Sequence, residues 1–541
     1  MSLSNTPESA PGSPLTPRSP QMPTGSKRNF ATGALIGTAG QGLNLILGFY
    51  LTRLIVGSLD LEWVGLWQML QDLAGYYTLS DLGIGRATTK YLSQHAAAND
   101  RPAFFRVLGT SLSTSRKLSL MAFTISLLLA IGLPYVINLG TLPLNLVRGL
   151  IFLTGLRVCF TLAAGAYHSV PPALGAFQFA NTIHYLTAFL GSIAIIVALW
   201  LGGGVMAMSL IALAIQVLSR TCYIIVSHRL IEFPAEGLPP PDNQIRKDLF
   251  QFGLIAFLIQ ASQRVVSFSS SLLIASFSNL GDSALYGISQ SLSNRCRDFS
   301  KSISDLLMPT ASRMKTQNDA RQLQRLAVLS CRVLGTICLV FLVNIATLGV
   351  PFFSEWLDQP KLAIDAQPIA VLLLGAMLFK LSVGGLVATL EGIGAMPLLG
   401  KICAIEAVLT LGMQALALRW SGLQGMATAL LVCQFLVNGV LMVVMAAPVL
   451  QIQPVKLFWR LWSPLVVTAI PGLLVGWACA TWLPPTAIWA VLAEFSLVGV
   501  TLLATAFYTC LDHEARREMR DMVQKRLAKR FGKQTAKPPQ S

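Results

Sequence analysis

Residues Leu51 to Gln94 read LTRLIVGSLDLEWVGLWQMLQDLAGYYTLSDLGIGRATTKYLSQ, and this stretch decides the fold. One long apolar run ends in a short turn near Gly57, and a second run begins near Val64. The second run closes at Ser80 to Gly85, where a basic amphipathic connector follows. A helix needs about 20 mostly apolar residues to cross about 30 Å of hydrocarbon, so the stretch predicts two membrane helices joined by a tight turn.

Apolar runs of this length recur along the chain from about residue 34 to residue 511. Of the 541 residues, 54% are hydrophobic and only 12% are charged, and the mean hydropathy is +0.62. A water-soluble domain of this size does not tolerate such a composition. The sequence therefore predicts an all-α polytopic membrane protein with about fourteen transmembrane helices, and it excludes a soluble enzyme.

The net charge of +16 is informative through its location. Lysine and arginine concentrate in alternate connectors, within residues 86–117, 223–248 and 310–325, whereas the intervening loops carry a single lysine, Lys361. Cytoplasmic loops of membrane proteins carry this excess of basic residues. We therefore expect a multi-pass protein of the cytoplasmic (inner) membrane with both termini in the cytoplasm, and no nucleic-acid partner.

No cofactor or metal site is expected from the sequence. The nine cysteines are scattered singly, the five histidines are dispersed, and neither set has metal-ligand spacing. A glycine-rich phosphate-binding motif with lysine and serine or threonine is also missing, so ATP is not expected to drive the protein directly. Coupling to protons or sodium ions is the remaining energy source that we consider.

Two stretches roughly 220 residues apart look related and predict an internal repeat. Gly33-Ala-Leu-Ile with Gln41 matches Phe252-Gly-Leu-Ile with Gln260, and Val64-Gly-Leu-Trp-Gln matches Tyr286-Gly-Ile-Ser-Gln. The matches fall on the first and seventh and on the second and eighth predicted helices, as in parallel repeats of transporters. Two six-helix lobes and a C-terminal helix pair follow.

The domain organisation that we expect has six parts. They are a disordered cytoplasmic N-tail (1–30), an N-lobe of helices 1–6 (31–230), a cytoplasmic connector (231–250), a C-lobe of helices 7–12 (251–450), helices 13–14 (451–511) and a basic amphipathic cytoplasmic tail (512–541). The last tail places apolar and basic side chains on opposite helical faces, so it is expected on the anionic inner leaflet; a solvated basic tail is the alternative.

The first helix pair resembles that of polysaccharide-biosynthesis transporters, the bacterial O-antigen and exopolysaccharide flippases. The resemblance rests on Glu62-Trp-Val-Gly65, which opens the second helix, on Ser80-Asp-Leu-Gly-Ile-Gly85, which closes it, and on the basic connector that follows. That family belongs to the multidrug, oligosaccharidyl-lipid and polysaccharide exporter superfamily. Many members have twelve helices, and the extra pair here resembles the lipid II flippase branch.

The resemblance implies a substrate whose sugar head is joined to polyprenyl pyrophosphate, and an exporter that is not an enzyme. Ionisable side chains at membrane depth are functional candidates by default, and arginine grips phosphate oxygens in a bidentate fork. Each one alone could instead be paired internally or reach the interface. The candidates for a cationic central cavity are Arg157, Arg264, Arg295, Arg297 and Lys380, with Gln260 and Gln263 as hydrogen-bonding groups for sugar hydroxyls.

Two carboxyl groups, Asp72 and Glu406, are candidates for ion coupling, and structural pairing with a nearby arginine is the alternative. The expected function is translocation of lipid-linked oligosaccharide by alternating access. The expected partners are this substrate, membrane lipids and proteins of polysaccharide synthesis. A cation-coupled multidrug exporter of the same superfamily is the second reading, although the excess of buried basic residues disfavours cationic drugs. A membrane glycosyltransferase or polymerase is the third, but the outward loops are short and hold no convincing acid–base pair.

Overall fold

The structure is a computed structural model, and it describes residues 27–316, 320–482, 487–512 and 516–517. The predictions for the N-tail and for most of the basic C-terminal tail lie outside these residues. The helices are α1 (Lys27–Ser58), α2 (Leu61–Tyr77), α3 (Ile84–Ala97), α4 (Arg101–Gly132), α5 (Leu144–Ala163), α6 (Gly165–Ala173), α7 (Phe177–Trp200), α8 (Val205–Leu230), α9 (Asn243–Phe277), α10 (Leu280–Thr316), α11 (Ala320–Leu357), α12 (Pro360–Ser382), α13 (Gly384–Gly392), α14 (Met396–Gln434), α15 (Met442–Val449), α16 (Pro454–Trp482) and α17 (Ile488–Thr509).

Within the described residues, ten helical stretches are long and apolar enough to cross a membrane. One of them, Met396–Val449, is broken at Gly422, whose φ is +62°, and therefore makes two crossings. Three further helices, α2, α9 and α10, are shorter or more polar than a lipid-facing helix and pack among the others. With these three, the described helices are sufficient for fourteen crossings, and the predicted polytopic all-α fold is confirmed.

The outer surface of the bundle is apolar. Large hydrophobic side chains such as Leu120, Val408 and Trp459 are 63–72% exposed, whereas Thr110, Thr410 and Thr468 on the same helices are fully buried. In water this distribution would be unstable, but in a bilayer the exposed side chains meet lipid and the buried polar groups find partners inside the protein. The molecule is therefore a multi-pass membrane protein.

The two halves of the chain pack in the same way. Helix α1 packs on α7 as α9 packs on α14, α4 packs on α5 as α11 packs on α12, and α2 contacts α5 as α10 contacts α12. A short helix follows the kinked end of α5 and of α12, namely α6 and α13. These equivalences give two six-helix lobes related by a parallel repeat.

A further glycine pair, which the sequence comparison did not reveal, also marks the repeat. Gly175, which ends the turn after α6, has φ +70°, and Gly394, which ends the turn after α13, has φ +83°. This left-handed conformation favours glycine, because it has no Cβ. The same backbone solution therefore closes the equivalent turn in both lobes.

The lobes meet where α2 packs on α10, at the motif shared by both helices. Gly65 of α2 lies against the backbone of Leu280, and Gly287 of α10 lies against the side chain of Gln68. Small residues let membrane helices approach closely. The spacing that the two motifs share therefore serves the packing of α2 on α10.

We call the end of the bundle where α1 and α9 begin the terminal face, and the end where α1 turns into α2 the distal face. At the distal face, Trp356 donates from Nε1 to the Phe49 carbonyl oxygen at 3.0 Å, and Asn138 donates from its amide to the Ser278 carbonyl oxygen at 3.1 Å. Both hydrogen bonds connect the N-lobe to the C-lobe. The lobes are therefore held together at this face.

The last two membrane helices pack on α11, outside the lobe interface. Arg332 of α11 holds them, because its side chain donates to the carbonyl oxygens of Arg460 and Cys510 at 3.0 and 3.1 Å and pairs with Asp512 at 3.2 Å. Only 12% of the Arg332 side chain is exposed. The pair is thus an addition to the C-lobe.

Substitution of Gly65 by alanine tests the close approach of α2 and α10. The new methyl group would overlap the Leu280 carbonyl oxygen, so we expect a loss of about 1–3 kcal/mol and a lower melting temperature in detergent. Gly57→Ala is the matched control, because nothing lies near its Cβ position, and alanine should be neutral or slightly stabilising in a helix. Equal melting temperatures for the two variants would contradict the close contact.

Candidate functional site

Asp72 lies in the middle of α2, 6% exposed, at the boundary between the lobes. Its carboxylate accepts hydrogen bonds from the Ser271 hydroxyl of α9 and from Nε2 of Gln68, the latter at 3.4 Å. One turn further along α2, the Tyr76 hydroxyl is bonded to the hydroxyl of Ser269. We call these residues the interlobe seam. They join α2 to α9 by polar contacts.

The α9 side of the seam belongs to a serine run that sequence reasoning missed. Ser270 accepts hydrogen bonds from the Tyr286 hydroxyl of α10 at 3.1 Å and from Nε2 of Gln414 of α14 at 3.2 Å. Nε2 of Gln290 donates to the Ser267 carbonyl oxygen at 3.3 Å. Several serines within one apolar membrane helix were the available signal, because unpaired hydroxyls are costly in hydrocarbon.

Three arginines cluster on the terminal side of the seam. The guanidinium of Arg264 lies 5.1 Å from the centre of the Phe268 ring, and Phe268 itself packs against Gly75 of α2. Arg86 of α3 and Arg297 of α10 are close enough to Arg264 for their charges to repel it. Among the described residues, no carboxylate lies within salt-bridge distance of any of the three. We call them the arginine cluster.

A cavity of about 160 Å³ lies inside the C-lobe, between α9, α10, α12 and α14. Its wall combines amides, hydroxyls and two basic groups with an apolar floor. Arg297 belongs both to this wall and to the arginine cluster. The lining residues are Gln263, Val266, Ser267, Gln290, Ser293, Asn294, Arg297, Leu373, Ala376, Met377, Lys380, Leu381, Leu430 and Gln434.

At one end of the cavity, the ammonium group of Lys380 forms an ion pair with the carboxylate of Glu406. Glu406 is almost fully buried, with 4% of its side chain exposed, and it also accepts a hydrogen bond from Nε2 of Gln434 at 2.9 Å. Asn438 donates in turn to Oε1 of Gln434 at 2.6 Å. Asn438 lies in a π-helical segment, Phe435–Leu441, that interrupts the regular helix beside the pair.

The structure brings only some of the sequence-predicted residues together. Gln263, Arg297 and Lys380 share the cavity, and Arg264 adjoins it through the arginine cluster. The other candidates lie elsewhere. Arg157 donates to Oε1 of Gln71 at 2.9 Å inside the N-lobe, Arg295 faces Gly48 and Phe49 of α1, and Gln260 is half-buried on α9 outside the cavity wall.

Arg86 is the one member of the arginine cluster that sequence reasoning did not select. It opens the basic connector after Gly85 and looked like a topology signal. The turn before it, with φ of +49° at Leu82 and +76° at Gly83, brings α3 back against the start of α9, where Gly83 contacts the Gly253 carbonyl oxygen. This local chain reversal carries Arg86 to the lobe boundary.

Removal of one partner of the Lys380–Glu406 pair should destabilise the C-lobe. In Lys380→Met the Glu406 carboxylate stays buried without its counter-ion, which costs about 3 kcal/mol, the low end of the usual range because Lys380 is partly exposed. We expect the double variant Lys380→Met/Glu406→Gln to regain most of the loss. Melting temperatures of the four proteins in detergent measure the coupling, and additive losses would contradict a direct pair.

Comparisons with known proteins agree with this architecture. The family model for polysaccharide biosynthesis proteins matches residues 160–358. Among curated protein sequences, none matches the chain. The family match lies outside the first helix pair, so it supports the resemblance found there independently.

Solved structures with the same fold are transporters. Lipid II flippase MurJ in an inward closed conformation has a TM-score of 0.66 at 12% identity, covering 87% of this chain and 98% of its own. An inward-facing multidrug resistance MATE family transporter of the MOP superfamily has a TM-score of 0.61 at 14% identity, covering 77% and 98%. The Vibrio cholerae MATE transporter VcmN has a TM-score of 0.56 at 15% identity, covering 80% and 100%.

At these identities the structural likeness shows the fold, and the family match adds the polysaccharide connection. The resemblance found in the first helix pair is confirmed by the family match over residues 160–358, and the chain has the fold seen in the MurJ and MATE structures.

Proposed function

We propose that the protein is a flippase that moves polyprenyl-pyrophosphate-linked oligosaccharide across the cytoplasmic membrane. The arginine cluster of Arg86, Arg264 and Arg297 carries the proposal. Three cations held close together, with no carboxylate within salt-bridge distance among the described residues, favour the binding of an anion. A pyrophosphate supplies several oxygens that guanidinium groups bind in bidentate fashion. The cluster lies at the lobe boundary, where a substrate must pass.

Translocation would follow from relative rocking of the two lobes. The hydrogen bonds at the distal face and the interlobe seam hold one side shut, and they must break when the substrate is released on that side. The lipid tail would remain in the bilayer while the sugar head follows the polar interior. The residues of the protein would then bind the substrate and shield its charge, and no covalent step is needed. We accordingly infer a transporter that is not an enzyme.

Asp72 is our proposed coupling residue, because it links the lobes through Ser271 and is also within electrostatic reach of Arg297. When a pyrophosphate engages Arg297, Asp72 loses part of the positive charge that stabilises its carboxylate. Uptake of a proton or a sodium ion would then compensate, and the contact with Ser271 would change. Glu406 is a weaker candidate, since Lys380 already neutralises it.

A cation-coupled multidrug exporter is the second candidate, favoured by the MATE transporters that share the fold. Its substrate would be an organic cation that enters the cleft between the lobes. The arginine cluster repels such a molecule, whereas the buried carboxylates are already hydrogen-bonded or paired. The charge of the cleft therefore favours the anionic lipid.

The remaining expectations become part of the proposal. The protein would lie in the inner membrane with both termini in the cytoplasm, and the domain limits would follow the six parts given above. Membrane lipids are its surroundings, and enzymes of polysaccharide synthesis are the proposed partners at the cytoplasmic connectors.

The arginine cluster can be tested in proteoliposomes with a fluorescent short-chain polyprenyl-pyrophosphoryl sugar. Loss of one charged contact to phosphate removes about 1.5–3 kcal/mol, so Arg264→Gln and Arg86→Gln should each slow translocation about 10- to 100-fold. Arg116→Gln is the matched control, because Arg116 of α4 is exposed like Arg86 but is not among the charges that act on Arg264. The readout is the fraction of probe that an external reagent can reach over time.

Unchanged translocation by both cluster variants at normal protein levels would refute the role of the cluster. Absence of probe movement with wild-type protein, together with proton- or sodium-driven export of a cationic dye, would replace the flippase by the drug exporter.

The proposed orientation can be measured with reporter fusions at the C-terminus. We expect a green fluorescent protein fusion to be fluorescent and an alkaline phosphatase fusion to be inactive, because only the first folds in the cytoplasm and only the second needs export. Fusion of the same reporters after Leu139, in a loop predicted on the outer side, is the internal control with the opposite result. Matching signals at both sites would contradict the fourteen-helix topology.

A further inference from the structure

The two lobes differ at one pair of equivalent positions. The register that matches Gly65 with Gly287 and Gln68 with Gln290 also matches Gln71 of α2 with Ser293 of α10. The turns that end at Gly175 and Gly394 likewise match Arg157 of α5 with Ala376 of α12. In the N-lobe, Arg157 and Gln71 touch through a hydrogen bond of 2.9 Å.

In the C-lobe the same two positions carry small side chains, and both Ser293 and Ala376 line the cavity. The cavity is therefore the space that a guanidinium and an amide fill in the other lobe. Close packing is the rule inside proteins, and a hollow bordered by polar groups at membrane depth is costly when it holds nothing. This hollow is consequently a candidate ligand site.

Two polar atoms of the wall show what the ligand must offer. Ser293 is only 2% exposed, and its hydroxyl has no hydrogen-bond partner among the described residues. Oε1 of Gln290 is also buried and has no partner among these residues. Nε2 of Gln290 donates to the Ser267 carbonyl oxygen at 3.3 Å, which fixes Oε1 as an acceptor. The ligand must therefore bring a hydrogen-bond donor to this acceptor.

The charges of the wall narrow the choice further. Lys380 is neutralised by Glu406, but Arg297 borders the cavity without a carboxylate within salt-bridge distance among the described residues, so a metal cation or an organic ammonium ion is repelled. A simple anion such as chloride suits the positive charge of Arg297 but has no hydrogen-bond donor for Oε1 of Gln290. A sugar ring fits the polar and the apolar parts of the wall. Its hydroxyls donate and accept hydrogen bonds, and its apolar face matches the floor formed by Val266, Leu373 and Leu430.

We infer that this C-lobe cavity binds a single sugar ring of the substrate, the ring next to the pyrophosphate. The position of the ring follows from Arg297, which belongs both to the cavity wall and to the arginine cluster that would hold the pyrophosphate. This inference rests on the proposed flippase function. It adds that the protein reads the first sugar through Gln290 and Ser293, while the rest of the glycan stays in the cleft.

The test compares two probes on the full-length protein in detergent, by native mass spectrometry. The probes are farnesyl pyrophosphate and farnesyl pyrophosphate that carries one glucose or one N-acetylglucosamine. Wild-type protein should bind at least one sugar-bearing probe about tenfold more tightly, since about one net hydrogen bond separates them. In Ser293→Ala this preference should shrink, and in Ala376→Leu, which fills the hollow, it should vanish.

Ser289→Ala is the matched control, because Ser289 is a buried serine of the same helix whose hydroxyl is bonded to the Ala366 carbonyl oxygen at 3.1 Å. It should keep the sugar preference. Binding of farnesyl pyrophosphate alone should be the same in all four proteins, and this reports on the arginine cluster.

The outcomes separate the inference from the function on which it rests. Absence of binding to either kind of probe would overturn the proposed flippase function and the sugar site with it. Equal binding of bare and sugar-bearing probes by the wild type would overturn the sugar site alone. A sugar preference that survives Ala376→Leu would place the sugar elsewhere.

Discussion

The structure depends on one constraint, that a polar group placed at membrane depth must meet another polar group or water. Most of the interior obeys it through partners inside the protein. Asp72 is satisfied by Ser271 and Gln68, Glu406 is satisfied by Lys380, and Arg157 by Gln71. The arginine cluster differs, because among the described residues no carboxylate lies within salt-bridge distance of it, and an anionic substrate therefore has reason to bind there.

The contacts between the lobes are of a kind that permits movement. At the distal face they are hydrogen bonds from side chains such as Trp356 and Asn138 to backbone carbonyl oxygens, each worth about 0.5–1.5 kcal/mol net. The close contact of Gly65 with Leu280 adds backbone packing, and the Phe49 ring of α1 adds edge-on contacts with the rings of Phe352 and Trp356 of α11. Because each contact contributes little, a second arrangement of the lobes can have a free energy within a few kcal/mol of this one. A two-state transporter requires such a small difference.

Much of the fold could be predicted from the sequence, because hydropathy and the placement of basic residues act locally along the chain. The repeat was also visible in Gly65 and Gly287, since these glycines are needed wherever α2 meets α10. The pairing of charged side chains from distant helices could not be predicted in the same way. Lys380 looked like a substrate ligand, and only the packing of α12 on α14 reveals Glu406 beside it.

Arg86 shows the opposite limit of sequence-based prediction, because it belongs to the arginine cluster but was not selected as a candidate. Its position in the chain, at the start of a basic connector, is typical of a residue that sets topology. Two consecutive residues with positive φ, Leu82 and Gly83, reverse the chain and bring it to the lobe boundary. Backbone conformations of this kind depend on tertiary contacts, here with Gly253, and hydropathy patterns do not report them.

The repeat then explains why the C-lobe has this cavity. Two copies of a six-helix unit begin with the same internal space, and each must fill that space or use it. In the N-lobe, Arg157 and Gln71 fill it and stabilise the packing of α2 on α5. In the C-lobe, Ala376 and Ser293 leave it hollow beside Arg297. One lobe thereby serves as the rigid wall of the cleft, and the other supplies the surface on which a substrate can be distinguished.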